Sequence, residues 1–136
     1  MKLNPYLNFN GNCRAAFSYY EQHLGGKVQM MMTHAEGPPN PNIPPEWGTA
    51  VLHAQIQLGE DVLMASDVPP ARHQPMRSAY LYLGLTSVEE AERVFAALTD
   101  GGEVLMPMTE TFWAARFGMA RDQFGVLWMV SAAPAK

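Results

Sequence analysis

The sequence contains two copies of one pattern. In each half, a short alternating segment precedes an amphipathic helix pattern, a Gly-Gly pair and three further apolar-rich segments. Gly25-Gly26 and Gly101-Gly102 mark equivalent points that lie 76 residues apart. Neither half is long enough to bury an adequate core alone. We therefore predict two βαβββ modules that share a sheet or exchange it between protomers.

The first module is predicted over about residues 1–70. Apolar residues recur at spacings of three and four from Cys13 to Leu24, which indicates a helix. Turn-forming residues at 10–12 precede it, and one of them can cap its first turn. Gly59-Glu60 joins two apolar-rich runs in the manner of a hairpin. The predicted strands cover residues 4–9, 27–33, 49–58 and 61–66.

The second module is predicted over about residues 78–132, after a Pro-rich segment at 67–77. Ser87 and Glu90 have the spacing of a capping box, so a helix is expected from Val88 to about Leu98. Asp100-Gly101-Gly102 would end this helix. The predicted strands cover residues 79–83, 103–108, 112–121 and 126–131.

The main difference between the halves is a proline-rich segment at residues 36–47. It holds five of the eleven prolines, which rules out helix interior or central strand. Matching Val62-Leu63-Met64 to Val126-Leu127-Trp128 gives an offset of 64, so the first half has 12 extra residues that this loop would hold. A loop of this length serves as a functional lid or docking segment, or is a simple surface excursion.

Length and charge exclude several classes of protein. A chain of 136 residues fits one domain, residues 1–136, and its net charge of −4 argues against nucleic-acid binding. The single cysteine, Cys13, cannot form an internal disulfide, which suits a reducing compartment. A thiolate zinc site is excluded as well. No signal segment or membrane-spanning stretch is visible, so we expect a cytoplasmic protein without a membrane partner.

Several motifs resemble the PhnB-like branch of the vicinal oxygen chelate superfamily, which includes the glyoxalase, bleomycin resistance and dioxygenase proteins. They are Pro5-Tyr6-Leu7, Phe9-Asn10-Gly11-Asn12-Cys13, Leu63-Met64-Ala65-Ser66-Asp67, Glu110-Thr111-Phe112-Trp113-Ala114 and the run from Asp122 to Met129. The resemblance covers nearly the whole chain. It implies an α+β fold of paired βαβββ modules, with a mixed sheet curved round a cleft. It also implies a homodimer with a small-molecule cavity in each half of the assembly.

The resemblance also implies where a divalent metal would bind. Enzymes of the superfamily hold such an ion with His, Glu or Gln side chains on the first and last strands of each repeat. The matching positions here are Pro5, about Met64, about Tyr80 and Met129. None is a good ligand for a hard divalent ion. We therefore predict no cofactor at the usual positions, while a divalent metal held by other donors stays open.

Two residues are candidates for catalysis. His53 lies in a predicted strand and suits a metal ligand, a general base or a hydrogen-bonding group in a pocket, or else a packed histidine bonded to backbone. Glu110 precedes Phe112 and Trp113, which suits acid–base chemistry or binding of a substrate amine, or else an exposed loop acid. For His23, His34 and His73 we expect solvated positions or a position near a helix end.

The predicted ligand-binding residues combine His53 with apolar and aromatic side chains. For each aromatic residue, core packing is the competing interpretation. Ten methionines, clustered at Met30-Met31-Met32 and at Met106 and Met108, suit an adaptable pocket or ordinary gap-filling, and copper binding is a more distant option. Cys13 would either have its pKa lowered by the helix N-terminus at which it lies or be buried as a small hydrophobic residue. The predicted ligand-binding set is His53, Met64, Tyr82, Trp113, Phe117 and Trp128.

These observations favour a homodimer that binds a small, partly aromatic or apolar organic molecule without the usual metal. A rival prediction is an enzyme: a metal-dependent lyase, isomerase or dioxygenase with a rearranged site near His53 and Glu110, or a metal-free acid–base catalyst. A third is an interaction module that uses the proline-rich segment. The sequence does not decide whether the protein is an enzyme.

Overall fold

The structure is a computed structural model that describes residues 1–134, and the chain divides into two units. The first unit is Met1–Gln74, and the second begins at Pro75. This division falls in the Pro-rich segment where the sequence places a boundary. In the first unit the elements are β1 (Tyr6–Phe9), α1 (Cys13–His23), β2 (Lys27–Thr33), a short 3-10 helix (Pro45–Trp47), β3 (Val51–Leu58) and β4 (Asp61–Asp67).

The second unit repeats the same order of helix and strands. Its elements are β5 (Leu81–Leu85), α2 (Val88–Thr99), β6 (Glu103–Thr109), β7 (Arg116–Arg121) and β8 (Leu127–Ala132). The strand order is β1-β4-β3-β2 in the first sheet and β5-β8-β7-β6 in the second. In each sheet the first and last strands of the unit are parallel and the other pairs are antiparallel. The predicted pair of βαβββ modules is therefore confirmed. The expectation that the two modules share one sheet is not met, because each module pairs its four strands in a sheet of its own.

In the first unit, α1 packs on one face of the sheet. Its buried residues are Cys13, Ala16, Phe17 and Tyr20, whose spacing of three and four residues forms one stripe. Buried strand residues such as Ala54 and Ala65 are cross-strand partners and form the other side of this core. The opposite face of the sheet carries the partly exposed side chains.

Asp67 holds three parts of the first unit together. One carboxylate oxygen accepts hydrogen bonds from the backbone N–H groups of Gly11 and Cys13, at 3.0 and 2.9 Å. The other accepts one from Val51 N–H at 2.9 Å. The end of β4 thus caps the N-terminus of α1 and anchors the start of β3. The side chain of Asn12, at the N-cap position, makes no capping hydrogen bond.

In the second unit, α2 begins as the capping-box spacing predicts, because the Ser87 hydroxyl accepts a hydrogen bond from Glu90 N–H. Gly118 faces this helix, since a Cβ there would lie 2.8 Å from the Phe95 ring. Trp128 belongs to the core as well, being almost fully buried. Its indole N–H donates to the carboxylate of Asp122 at 2.8 Å.

Several details differ from the sequence predictions, among them the strand predicted at residues 79–83, which is β5 at Leu81–Leu85. The strand expected from residue 112 starts at Arg116, because residues 111–114 form a turn in which Thr111 N–H donates to the Ala114 carbonyl. The proline-rich segment contains a 3-10 helix at Pro45–Trp47. The predicted equivalence of Met64 and Trp128 is wrong by one residue, because Met64 pairs with Tyr6 and Met129 pairs with Tyr82. Such a slip exchanges the two faces of a strand.

Within residues 1–134, no helix is both long enough and apolar enough to span a membrane.

Candidate functional site

A row of side chains crosses the open face of the first sheet, opposite α1. The strand register places Tyr6 beside Met64, Met64 beside Gln55, and Gln55 beside Met30. Each strand contributes one residue, because residues in register on neighbouring strands point to the same face. The row therefore joins a phenol, an amide and two thioethers on a face that is not covered by the helix of its unit.

The second sheet has an equivalent row. Tyr82 lies beside Met129, Met129 beside Met119, and Met119 beside Met106. Tyr6 and Tyr82 are 47% and 55% exposed, and all the methionines of the two rows are partly exposed. Both units thus present a tyrosine on the edge strand and thioethers across the strands behind it.

His53 lies on the open face of the first sheet and contacts this row. Its Nδ1 is 3.0 Å from the hydroxyl oxygen of Tyr6, and the two rings are stacked with centroids 5.6 Å apart. Its Nε2 is 3.1 Å from the side-chain amide nitrogen of Gln55. The predicted site residue is therefore part of a Tyr6–His53–Gln55 chain and is not merely packed against backbone.

Aromatic side chains cluster on the second unit. Phe117 is nearly buried and lies beside Tyr82 and Trp113, with ring centroids at 6.4 and 5.3 Å. Trp113 packs edge-on against Phe112 at 4.8 Å. Phe112 and Trp113 are 96% and 45% exposed. Three of the predicted ligand-binding residues, Tyr82, Trp113 and Phe117, are thus brought together.

Two predicted site residues lie elsewhere. Trp128 is in the core of the second unit, bonded to Asp122, so its indole is not available to line an open face. Glu110 follows β6 and is exposed, as in the alternative interpretation of an exposed loop acid. The aromatic residues next to Glu110 in the sequence do not enclose its carboxylate.

His23, His34 and Cys13 have local contacts. The ring of His23, in the last turn of α1, lies 4.1 Å from that of Tyr19. His34 Nε2 is 3.4 Å from the backbone carbonyl oxygen of Asp67. Burial, together with the nearby Asp67 charge, raises the pKa of Cys13 from 9.0 to about 12. Of the two expectations for this thiol, burial therefore prevails over the helix N-terminus.

The proline-rich segment borders a groove of about 560 Å³ in the first unit. Its walls include His34 and a set of apolar side chains. Glu36 helps to shape the segment: hydrogen bonds from the backbone N–H and hydroxyl of Thr33 lower its pKa. The apolar wall includes Pro38, Pro39, Ile43, Pro44, Pro45 and Leu52.

Residues 2–130 match the family model of the Glyoxalase/Bleomycin resistance protein/Dioxygenase superfamily. The chain belongs to this superfamily. It is 35% identical to protein YjdN of Escherichia coli K12 over 139 residues, covering 96% of this chain and 95% of that protein. The crystal structure of PA1353 from Pseudomonas aeruginosa is 46% identical, covers 98% of both chains and has a TM-score of 0.89.

The PhnB protein of Bacillus cereus shares the fold at 24% identity, with a TM-score of 0.81 and coverage of 98% of this chain and 100% of that one. The resemblance to the glyoxalase superfamily inferred from the sequence motifs is thereby confirmed. These likenesses establish the family and the fold.

The donor sets of the two sheets do not fit the divalent metal associated with the superfamily. The parallel edge pairs carry Tyr6 with Met64 and Tyr82 with Met129, and thioethers are soft ligands that a hard divalent ion does not prefer. Across residues 1–134, no three side chains among His, Cys, Asp and Glu converge on a common point. The nitrogens of His53 already face Tyr6 and Gln55.

Sequence reasoning missed two members of the first row, Tyr6 and Gln55, although it predicted the neighbouring Met64. For Met30 it left an adaptable pocket and ordinary gap-filling as alternatives. The available signal was the alternation of β1 and β3, where residues next to buried positions point to the open face. Their alignment across strands depends on register, and β2 and β3 pair with register shifts at Val28/Met30 and Met32/Thr33.

Proposed function

We propose that this glyoxalase-superfamily protein is a cytoplasmic homodimer that binds a small, partly aromatic or apolar organic molecule on the open faces of its sheets, without the metal of the family. The observation that carries the proposal is the repeated row of an exposed tyrosine and neighbouring methionines. Flexible, polarisable thioethers adapt to the shape of an apolar ligand and make favourable contacts with aromatic rings.

Each unit has its own open face, and the two faces offer different kinds of contact. On the first, Tyr6, His53 and Gln55 provide hydrogen-bonding groups beside Met64. On the second, Trp113 and Tyr82 provide exposed aromatic surface around Phe117. Ligand sites are commonly apolar surfaces with a small number of placed polar groups. The first open face has both properties, because polar groups lie beside the thioether of Met64.

Ligand-observed NMR with a set of small aromatic compounds tests this proposal. Saturation transfer to aromatic fragments is expected with the wild-type protein. It should weaken several-fold in Trp113→Ala and in Met64→Ala, because each change removes contact surface from one open face. Because both side chains are partly exposed, the variants should lose less stability than a truncation in the core and should remain folded at the temperature of the measurement.

A matched control is Trp128→Phe, which changes an indole of the core. This variant should lower stability because it loses the hydrogen bond to Asp122, but saturation transfer by its folded form should persist. Equal binding by wild type, Trp113→Ala and Met64→Ala would contradict the assignment of the ligand sites to the open faces. A stoichiometric divalent ion retained after purification without chelator would contradict the metal-free part of the proposal.

A further inference from the structure

The hydrogen bonds of the Tyr6–His53–Gln55 chain run in one direction, and this direction identifies the kind of ligand atom that Tyr6 can bind. We propose that Tyr6 donates a hydrogen bond to a carbonyl oxygen of the bound molecule, and that His53 and Gln55 orient its hydroxyl for this purpose. This inference rests on the proposed function and adds to it the chemical class of ligand, an apolar or aromatic carbonyl compound.

The order of donors and acceptors in this chain is set by Gln55. Its amide nitrogen, which only donates, lies 3.1 Å from Nε2 of His53, so Nε2 must accept. In a neutral imidazole with Nε2 as the acceptor, the proton is on Nδ1. That Nδ1–H then donates to the hydroxyl oxygen of Tyr6, 3.0 Å away. The phenolic proton of Tyr6 remains free to point away from the histidine.

The position of Tyr6 allows a ligand to use that proton. The residue lies on the edge strand β1 and is 47% exposed, and its ring is held by stacking on His53. The Tyr6 hydroxyl is therefore held by His53 on one side, and its other side is accessible to a ligand. A donor held in place before binding loses less conformational entropy when it bonds a ligand.

The surroundings favour a neutral acceptor over an anion. The row of Tyr6, Met64, Gln55 and Met30 contains no charged side chain that would pair with a carboxylate. The thioethers of Met64 and Met30 offer contact to the apolar body of a ligand. One O–H donor that points away from the sheet, together with neighbouring thioethers, fits a ketone, aldehyde or amide carbonyl attached to an apolar group.

The equivalent position in the second unit lacks this device. By strand register, Met119 is equivalent to Gln55 and Phe117 is equivalent to His53. Tyr82 therefore lies beside a phenyl ring, 6.4 Å between centroids, where Tyr6 lies beside an imidazole. At these equivalent positions of the described chain, the first unit has the oriented phenol and the second has an aromatic contact in its place.

The proton position on His53 can be measured without any ligand. Long-range 1H–15N correlation spectra distinguish the two neutral tautomers, and His53→Gln identifies the signals of this ring among the four histidines. At a pH where the ring is neutral, wild type is expected to show Nδ1–H. Gln55→Glu should shift the ring to Nε2–H, because a carboxylate only accepts. Wild-type protein with Nε2–H would overturn the proposal.

Binding of two probes tests the ligand class. Acetophenone has a carbonyl oxygen, and ethylbenzene is a similar molecule without one. The ratio of their dissociation constants therefore measures how much the carbonyl oxygen contributes to affinity. Wild type is expected to prefer acetophenone about fivefold, the value of one net hydrogen bond. Tyr6→Phe should remove the preference, Gln55→Glu should reduce it, and Tyr19→Phe on α1 should keep it.

The outcomes separate this inference from the proposed function. If both probes bind wild type and Tyr6→Phe with one affinity, the carbonyl preference is wrong while binding of apolar molecules stands. If neither probe binds wild type, both proposals are wrong. If benzoate binds more tightly than acetophenone and Tyr6→Phe abolishes this, the neutral-carbonyl assignment is overturned in favour of an anion.

Discussion

Asp67 and Asp122 are buried carboxylates that satisfy backbone and side-chain donors inside their own units. Asp67 receives three backbone N–H groups, and Asp122 receives those of Phe124 and Val126 together with the indole of Trp128. Each carboxylate thereby ties a strand end to a turn or helix start. Buried donors that lose their acceptor carry the full cost of desolvation, so these two residues are central to stability.

Replacing Asp67 by Asn should lower the free energy of unfolding by about 2 kcal/mol. The amide nitrogen of Asn cannot accept, so at least one of the N–H groups of Gly11, Cys13 and Val51 loses its bond. Urea unfolding followed by circular dichroism measures the change. Asp61→Asn, an exposed residue at the start of the same strand, is the control and should change stability little; equal losses in both variants would contradict this role.

The thiol of Cys13 should react slowly and should make stability depend on alkaline pH. Its pKa is about 12 in the folded chain, compared with an ordinary value of 9.0, so the folded state keeps a proton that the unfolded state loses. The free energy of unfolding therefore falls as pH rises from 9.0 towards 12, by up to about 1.4 kcal/mol per pH unit. Below 9.0 this contribution is constant.

Urea unfolding at pH 8, 9 and 10 should show a steeper loss of stability for wild type than for Cys13→Ala, which has no thiol to ionise. Reaction with Ellman's reagent at pH 8 should be slow in buffer and fast in urea. Rapid modification of the native protein would show that the thiol is accessible and would contradict its burial.

At the scale of elements, the two helices are capped by different means. Ser87 caps α2 locally, as its spacing from Glu90 predicts, whereas α1 takes its cap from Asp67, 54 residues after Cys13. A local motif can be recognised in the sequence because its partners are three residues apart. A cap supplied by a distant strand depends on the sheet having formed, so the sequence indicated a cap for α1 at residues 10–12 instead.

Ser87→Ala should therefore lower the free energy of unfolding by about 1 kcal/mol. The lost group is the hydroxyl that accepts from Glu90 N–H at 3.1 Å. Asn12→Ala should cost less, because the Asn12 side chain makes no capping hydrogen bond. Thermal unfolding of these two variants and of Thr86→Ala, an exposed neighbour, gives the comparison. A larger loss for Asn12→Ala would show that α1 has a local cap.

For the whole molecule, the repeated order of strands and helix was predictable, and the rows on the open faces were not. Gly-Gly pairs and helix periodicity are local signals, so both modules and their helices were predicted. The rows depend on which residues lie side by side on neighbouring strands. A match between Val62-Leu63 and Val126-Leu127 suggested one alignment, but pairing of Tyr6 with Met64 and Tyr82 with Met129 establishes another.

The open edges of the two sheets lead to the prediction of a dimer. Each four-stranded sheet ends in strands with one paired neighbour, β1 and β2 in the first unit and β5 and β6 in the second. Exposed Val104 and Leu105 lie on one such strand. Unpaired strand edges and exposed apolar side chains are features that association with another chain satisfies. Closed twofold dimers are the commonest symmetric assembly.

Sedimentation equilibrium at micromolar concentration should accordingly give a mass of about 30 kDa, twice the 15.1 kDa of one chain. Because association stabilises the folded state by mass action, the melting temperature should also rise with protein concentration. Oxidation of methionine by hydrogen peroxide is a third measurement. If the methionine-rich open faces lie in the dimer interface, their methionines should be oxidised more slowly in the dimer than in protein diluted until it dissociates. A 15 kDa species with a concentration-independent melting temperature would show that the modules complete their fold within one chain.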